Sequence, residues 1–367
     1  MSISMPRKAQ LPRTATLLFG AYRIQSHVQA GHTCSSFNSR AMSTQADLAI
    51  PTIDVSSFLK QPSSPAAREV IDQVRAACET TGFFQIVNHG IPSPLQESVF
   101  TAARKFFALP MEEKRSLDAK HNVGHRGYDV LESQSYEEGV LPDLKEGLYV
   151  GNDIPASDER TKSGRFFMGP NVWPQSLDSA DLRQPVEAYY SAVYALSLRV
   201  LDMMAPALPY DVKDLFSRFT GADLVAAPLR LVHYPPARAT KQRQLGSSAH
   251  TDFGAITLLL SDGVPGLEVQ NRKSGSWMQV PPSEDAYVVH VGDMLQMWTG
   301  GRLKSSVHRV LNGEERDRYS IVFFFDGNLD CPLTPLDEKD RIEGQEVPTV
   351  EGHMLKRMAD SYGKGKK

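Results

Sequence analysis

The chain has 367 residues, of which 41% are hydrophobic, and a formal net charge of −3. This length allows one large domain or two small ones, with a substantial buried core. No apolar run approaches the roughly 18 residues needed to cross a bilayer, so we expect a globular protein with no membrane partner.

The three cysteines, Cys34, Cys78 and Cys331, are too few and too far apart for a disulfide framework. They also form no Cys-x-x-Cys pair of the kind that binds zinc. We therefore expect a protein of a reducing compartment, the cytoplasm, and we expect a monomer.

Residues 1–46 contain five Arg or Lys residues and no Asp or Glu. This composition is typical of a mitochondrial transit peptide, which would make the protein mitochondrial. A disordered leader, or an upstream extension before a true start at Met42, explains it equally well. The rest of the chain is net acidic, so no basic face for nucleic acid is indicated.

Hydrophobic periodicity predicts both helices and strands in the first half of the chain. In order, the predicted elements are a strand at 50–54, a helix at 66–80, a buried strand at 82–90, and helices at 94–107 and 186–201. Residues 117–174 are rich in Gly, Pro and charge, which predicts an ordered loop with little regular structure.

From residue 229 the pattern changes to short apolar runs separated by turn residues. We predict strands at 229–233, 255–260, 267–270, 277–280, 286–290, 294–298, 306–311 and 319–325, and a closing helix at 348–362. Eight short strands at close spacing indicate a mainly β sandwich, barrel or jelly roll with flanking helices. We expect residues 47–180 and 181–367 to pack together as one globular unit.

His250 and Asp252 stand two positions apart, and His308 follows in another predicted strand. On a strand, residues two apart leave the same face and can meet one ion. Two imidazoles and one carboxylate leave open positions on a metal, as an Fe(II) oxygenase requires, whereas zinc favours four-coordinate closure. A His-x-Asp pair alone is weak evidence, because such pairs occur by chance.

After His308 the chain turns through Asn312-Gly313 and returns as the strand that contains Arg318 and Ser320. An Asn-Gly turn predicts a hairpin, so these two side chains are expected near the metal on one strand face. The Arg guanidinium suits the distal carboxylate of a 2-oxo dicarboxylic acid. The alternative is an ordinary ion pair with Glu314, Glu315 or Asp317.

With these residues in place, the chain from about residue 50 resembles the isopenicillin-N-synthase-like family of Fe(II)/2-oxoglutarate-dependent dioxygenases. The resemblance rests on separate motifs, which are IPTID at 50–54, GFFQIVNHGIP at 82–92, FFALP at 106–110, GPNVWP at 169–174, LRLVHYP at 229–235, the three metal-type residues, and Arg-x-Ser at 318–320.

The resemblance implies a double-stranded β-helix, or jelly-roll, core. It implies Fe(II) at His250, Asp252 and His308, with 2-oxoglutarate held by Arg318, Ser320 and Tyr234. The implied reaction couples decarboxylation of 2-oxoglutarate by O₂ to hydroxylation, desaturation or ring closure of a small organic molecule, with ascorbate as a possible reductant. One departure is His290, where relatives usually carry Asn.

Three further histidines, His89, His233 and His290, are interpreted as hydrogen-bonded structural residues without a catalytic role. The candidate substrate-pocket residues are aromatic, and because aromatic residues at strand ends usually belong to the core, we expect at most two or three of them to touch substrate: Tyr128, Tyr136, Phe253, Trp298 and Phe325. The charged loop from Gly127 to Gly151 could equally be a solvated lid.

Two other functions are compatible with the same residues. One is an Fe(II) oxidase that takes its electrons from the substrate or from ascorbate instead of 2-oxoglutarate. The other is a non-catalytic small-molecule-binding protein, although such a protein would normally have lost part of the triad.

Overall fold

The computed structural model describes residues 49–136, 140–221, 223–237, 243–313 and 315–363, so the predicted leader lies outside the described residues. The α-helices are α1 Ser56–Lys60, α2 Pro65–Thr80, α3 Ser93–Phe107, α4 Met111–Ser116, α5 Glu159–Lys162, α6 Arg183–Met204, α7 Lys213–Thr220, α8 Asp293–Trp298 and α9 Val350–Gly363. None of these helices has the length and apolar character that a bilayer crossing requires.

The strands are short, as the spacing of turn residues predicts. They are β1 Thr52–Asp54, β2 Phe83–Val87, β3 Gly127–Asp129, β4 Glu146–Val150, β5 Val225–Ala226, β6 Leu229–Tyr234, β7 Ser247–His250, β8 Ile256–Ser261, β9 Leu267–Gln270, β10 Trp277–Gln279, β11 Tyr287–Val291, β12 His308–Val310, β13 Arg318–Phe325 and β14 Gly327–Asn328.

Two sheets form the centre of the fold. The larger has eight strands in the order β1-β2-β11-β8-β13-β6-β4-β3, and the smaller has four in the order β10-β9-β12-β7. Only the β1–β2 pairing among them is parallel in the described residues. This is the predicted jelly-roll core with flanking helices. Strands from both sides of residue 180 share the larger sheet.

The larger sheet is buried on both faces, and its alternating residues serve two different cores. On one face, Ile321 and Phe323 of β13 join the apolar cluster built with α2, α3 and α6. On the other face, Val322 of β13 packs with Val269 of β9 and Val310 of β12 from the smaller sheet. The space between the sheets is therefore lined by every second residue of each strand.

Most predicted elements are present within a few residues of their predicted ends, including the closing helix α9. The strand predicted at 294–298 is wrong, because this segment is helix α8. Its buried residues are Met294, Leu295 and Trp298, at positions i, i+1 and i+4. This is the spacing of one face of a helix, whereas the buried residues of a strand would alternate.

The prediction of little regular structure at 117–174 is also partly wrong. This stretch contains β3, β4 and α5, and β4 pairs along its whole length with β6. The alternative that Gly127 to Gly151 forms a solvated lid is contradicted in the same stretch, because Asp143, Lys145 and Glu146 are buried. The charges misled the prediction, since each of these side chains is buried with a partner of opposite sign or a hydrogen bond.

A buried polar cluster centred on Glu146 joins the N-terminal helices to the larger sheet. Its carboxylate accepts hydrogen bonds from Lys114 Nζ at 2.7 Å, Tyr128 Oη at 2.6 Å and His233 Nδ1 at 2.8 Å. Burial by itself would raise the pKa of Glu146, but these hydrogen bonds lower it below the ordinary value. The carboxylate is therefore ionised at neutral pH and depends on Lys114 for charge balance.

We predict that Lys114→Met lowers the free energy of unfolding by about 3–5 kcal/mol, because it leaves a buried carboxylate without its cation. Urea denaturation followed by circular dichroism measures this change. The matched control is Lys162→Met, because the Lys162 side chain is 54% exposed in a surface ion pair with Glu159. That control should cost under about 1 kcal/mol, and equal losses in the two variants would contradict the prediction.

Candidate active site

The antiparallel pairing of β7 with β12 brings two histidines together. His250, the last residue of β7, lies directly opposite His308, the first residue of β12. Directly opposed residues of an antiparallel pair project to the same side of the sheet. The two imidazole rings consequently lie with centroids 4.3 Å apart.

Backbone carbonyls set the orientation of both rings in the same way. His250 Nδ1 lies 2.7 Å from Ser248 O, and His308 Nδ1 lies 3.2 Å from Ser306 O. A carbonyl oxygen only accepts, so each Nδ1 carries the proton and donates it. Each Nε2 is then left with a free lone pair, which is the form of histidine that binds a metal.

Asp252 completes the cluster, although it lies two residues beyond the end of β7 and not on the strand as predicted. Its Oδ1 is 3.6 Å from His308 Nε2. One ligand-type atom from each of His250, Asp252 and His308 lies within 4.8 Å of the others. In the described chain this is the one such group of metal-ligand residues.

His290 contacts Asp252 and orients its carboxylate through a hydrogen bond. Its Nδ1 donates to Asp252 Oδ2 at 2.8 Å, while its ring stacks on Phe83 with centroids 4.1 Å apart. His290 is thus buried and hydrogen-bonded, as expected of a structural histidine, but its partner is a member of the triad. The sequence showed only that this position departs from the family's usual Asn.

The protonation states of the triad suit a divalent cation. Burial holds the pKa of His250 well below its ordinary value and lowers the pKa of His308 to about 4. Burial would raise the pKa of Asp252, but the neighbouring His308, His290 and His250 lower it instead. At neutral pH the cluster therefore offers two neutral imidazoles and one carboxylate, the donor set of a non-haem Fe(II) site.

The hairpin predicted at Asn312-Gly313 is wrong, because β12 pairs with β7 and β9 in the smaller sheet and β13 pairs with β6 and β8 in the larger one. Arg318 and Ser320 nevertheless lie on the inner face of β13, and Arg318 is directly opposite Tyr234 of β6. Arg318 is 1% exposed and donates to Ser320 Oγ at 2.6 Å and to Val264 O at 3.2 Å. No carboxylate among the described residues forms an ion pair with it. The expected alternative partner Asp317 is instead bonded to His233.

A cleft of about 840 Å³, including its open mouth, lies between the sheets and reaches the triad. Tyr234, Val310 and Val322 line the cleft towards Arg318, and Met354 and Met358 of α9 line it from outside the sheets. Arg357 of α9 donates to Thr251 Oγ1 at 3.0 Å. The last helix is thereby attached to the segment that carries Asp252.

Of the five aromatic residues predicted for the substrate pocket, two line the cleft. Tyr136 stacks on the His250 ring with centroids 4.5 Å apart, and Phe253 lies beside it. The three others belong to the core beneath the sheet and do not line the cleft, which agrees with the expectation that at most two or three of the five touch substrate: Tyr128, Trp298 and Phe325.

The remaining two histidines have the expected structural contacts. His233 bridges Glu146 and Asp317, and His89 contacts the backbone oxygen of Asp285 at 3.0 Å. Neither lines the cleft.

Three charged cleft residues were missed from the sequence. Lys145 is paired with Asp143, and Arg230 with Asp129. The third is Asp326, directly after β13, which continues the alternation of Arg318 and Ser320 on the inner face. Alternation along β6 and β13 could have identified Arg230 and Asp326, whereas Lys145 lay in the segment interpreted as loop.

Comparisons with known families agree with this geometry. Residues 50–176 match the model described as the N-terminal region of non-haem dioxygenases in morphine synthesis. Residues 226–327 match the model of the 2OG-Fe(II) oxygenase superfamily, and this match includes all six predicted metal and cosubstrate residues.

Curated proteins are similar to this chain over most of its length. A 2-oxoglutarate-dependent dioxygenase of Monascus ruber is 55% identical over 327 residues, covering 88% of this chain and 98% of that protein. A clavatol oxidase of Penicillium crustosum is 45% identical, with coverages of 85% and 96%.

Among solved structures, a full-length Neurospora crassa protein in complex with α-ketoglutarate and thymine has a TM-score of 0.72. It is 27% identical, with coverages of 84% of this chain and 96% of that one. These findings confirm the resemblance seen in the sequence. The chain belongs to the 2OG-Fe(II) oxygenase superfamily and is a non-haem, Fe(II)- and 2-oxoglutarate-dependent dioxygenase.

Proposed function

We propose that His250, Asp252 and His308 hold the Fe(II) of this dioxygenase and that Arg318, Ser320 and Tyr234 hold 2-oxoglutarate. The observation that carries the proposal is the buried Arg318 guanidinium, which has no carboxylate partner in the described chain. It lies on β13 of the larger sheet, opposite Tyr234, whose side chain lines the cleft that also reaches the His-Asp-His cluster. The buried guanidinium charge requires an anion, and the distal carboxylate of 2-oxoglutarate supplies it.

When bound, the iron and its cosubstrate supply the oxidising chemistry: O₂ and 2-oxoglutarate are consumed, and succinate, CO₂ and oxidised substrate are formed. The residues of the chain bind and orient. Backbone oxygens of Ser248 and Ser306 hold the two imidazoles, and His290 holds the carboxylate. Ascorbate serves as an accessory reductant that keeps the iron ferrous.

The substrate is a small organic molecule. The cleft is lined mainly by apolar and aromatic side chains with a few polar groups, as small-molecule sites are, and the Neurospora crassa structural neighbour was solved with thymine. Clavatol, the compound after which the 45% identical Penicillium crustosum oxidase is named, is the first to test.

We also propose that the protein acts as a cytoplasmic monomer, without nucleic acid, and that residues 47–180 and 181–367 fold as one unit.

The overall proposal is tested by measuring succinate in the presence of Fe(II), O₂ and 2-oxoglutarate, with and without clavatol or other candidate substrates. Substrate oxidation accompanied by equimolar succinate supports the proposal. Substrate oxidation without succinate would instead establish the Fe(II) oxidase alternative.

Asp252→Ala should lower both bound iron and turnover by at least about 100-fold, because it removes one of three ligands. Iron content after desalting and succinate formation are the two measurements. Asp72→Ala is the control, since Asp72 forms only an exposed ion pair with Arg75. Full iron content and turnover in Asp252→Ala would show that the metal lies elsewhere.

Arg318→Ala should raise the KM for 2-oxoglutarate on the order of 100-fold, since a buried charge-assisted contact is lost. Arg318→Lys should recover only part of this loss, because an ammonium cannot form the planar two-bond contact. The control is Arg302→Ala, which removes an exposed ion pair with Glu79. An unchanged KM in Arg318→Ala would disprove the cosubstrate assignment.

His290→Leu should weaken Fe(II) binding by roughly 10- to 100-fold while leaving the 2-oxoglutarate contact residues in place. The reason is that Asp252 loses the hydrogen bond that orients it. Competition with a chelator measures the metal affinity. The control His89→Asn alters a buried histidine outside the cleft, and an equal loss there would indicate a general effect on folding.

A further inference from the structure

Asp326 is a buried carboxyl group in the cleft for which the described chain provides no partner. It is 1% exposed, and neither Oδ1 nor Oδ2 accepts a hydrogen bond within the described residues. Burial, and next the negative charge of Asp252, raise the pKa of Asp326 to about 8. Because a buried polar group without hydrogen bonds is unfavourable, its position in the cleft points to a ligand.

Unlike Asp326, the other charged side chains of the cleft have hydrogen-bond partners within the chain. Lys145 donates to Asp143 and Ser247, at 2.8 and 2.9 Å, and Arg230 is bonded to Asp129. Asp252 is bonded to His290 and faces the metal position. Asp326 alone among the cleft's acidic residues in the described chain therefore has both oxygens free to accept.

Asp326 lies at the opposite end of β13 from Arg318, the residue proposed to bind 2-oxoglutarate. Arg318 and Asp326 are eight residues apart, which on an extended strand is about 26 Å. Arg318 contacts Val264 O at one end. At the other end the carboxyl group lies against Gly254, where a Cβ would collide with Asp326 Oδ1. Because Gly254 is two residues after Asp252, Asp326 lies near the metal cluster, at the end of β13 far from Arg318.

The walls around this part of the cleft indicate what the ligand is like. Phe253, Phe324 and Met354 line it with aromatic and thioether groups, which suit a flat apolar ring. The charges of Lys145 and Arg230 are already neutralised by their partners, and the raised pKa of Asp326 leaves its carboxyl group mainly uncharged at neutral pH. A neutral hydroxyl therefore fits better than an ammonium group.

We propose that Asp326 determines substrate specificity by accepting a hydrogen bond from a hydroxyl group on an aromatic substrate. This inference rests on the proposed function, because the substrate side of the cleft is defined by the iron and 2-oxoglutarate positions. The substrate class is therefore a hydroxylated aromatic compound, held with its ring between Phe253 and Phe324.

The test uses the full chain loaded with Mn(II) and 2-oxoglutarate, whose binding is measured first. The probes are 3,5-dimethylphenol and its methyl ether, 3,5-dimethylanisole, with benzylamine as the ammonium probe. Calorimetric titration compares the wild type with Asp326→Asn and Asp326→Leu. The exposed Asp360→Asn on α9 is the control.

In the wild type the phenol should bind about ten-fold more tightly than the ether, the size expected when a hydrogen bond satisfies an otherwise unpaired buried polar group. The preference should fall in Asp326→Asn and vanish to within about three-fold in Asp326→Leu. It should be unchanged in Asp360→Asn. Mn(II) and 2-oxoglutarate should bind every variant equally, and failure of that step in the wild type would count against the proposed function instead.

Stability provides a second, independent readout. Asp326→Leu should raise the thermal midpoint by roughly 2 °C or more, because it replaces a desolvated polar group that has no partner with an apolar group of similar shape. A lowered midpoint would show that Asp326 is a structural residue and would overturn the proposal. It would also be overturned if the wild type showed no preference for the phenol, or if benzylamine bound more tightly than the phenol in an Asp326-dependent way.

Discussion

The antiparallel register of β7 with β12 is the constraint on which the active site depends. It places His250 opposite His308, and the register shift between His308 and Val310 follows immediately. A slip of one residue would send one imidazole to the opposite face of the sheet. Asp252, the cleft and strand β13 can form one site only because this pair of histidines is aligned.

The cleft also shows how charged groups are accommodated inside an apolar fold. Glu146, Lys145 and Arg230 each have a partner within the chain, and they contribute to a rigid wall. Within the described residues, Arg318 has no carboxylate partner and Asp326 has no donor. Since an unpaired buried ionisable group is unfavourable, these two residues mark the positions where molecules other than the protein are expected to complete the structure.

Helix α9 links the end of the chain to this site. His353 contacts Phe253 O at 3.1 Å and Arg357 contacts Thr251, on either side of Asp252. Met354 and Met358 line the cleft from the same helix. The segment that carries Asp252 is therefore held from two directions, by the sheet and by the C-terminal helix.

The sequence by itself determined the family, most strands and helices, and the six metal and cosubstrate candidates, because these follow from local periodicity and short motifs. It did not determine helix α8, whose short apolar run is compatible with the periodicity of a strand as well as that of a helix. It also did not determine the burial of Lys145 and Glu146. It also missed the His290–Asp252 contact and the unpaired Asp326. Those features depend on which distant residues face a side chain, so only the tertiary structure decided them.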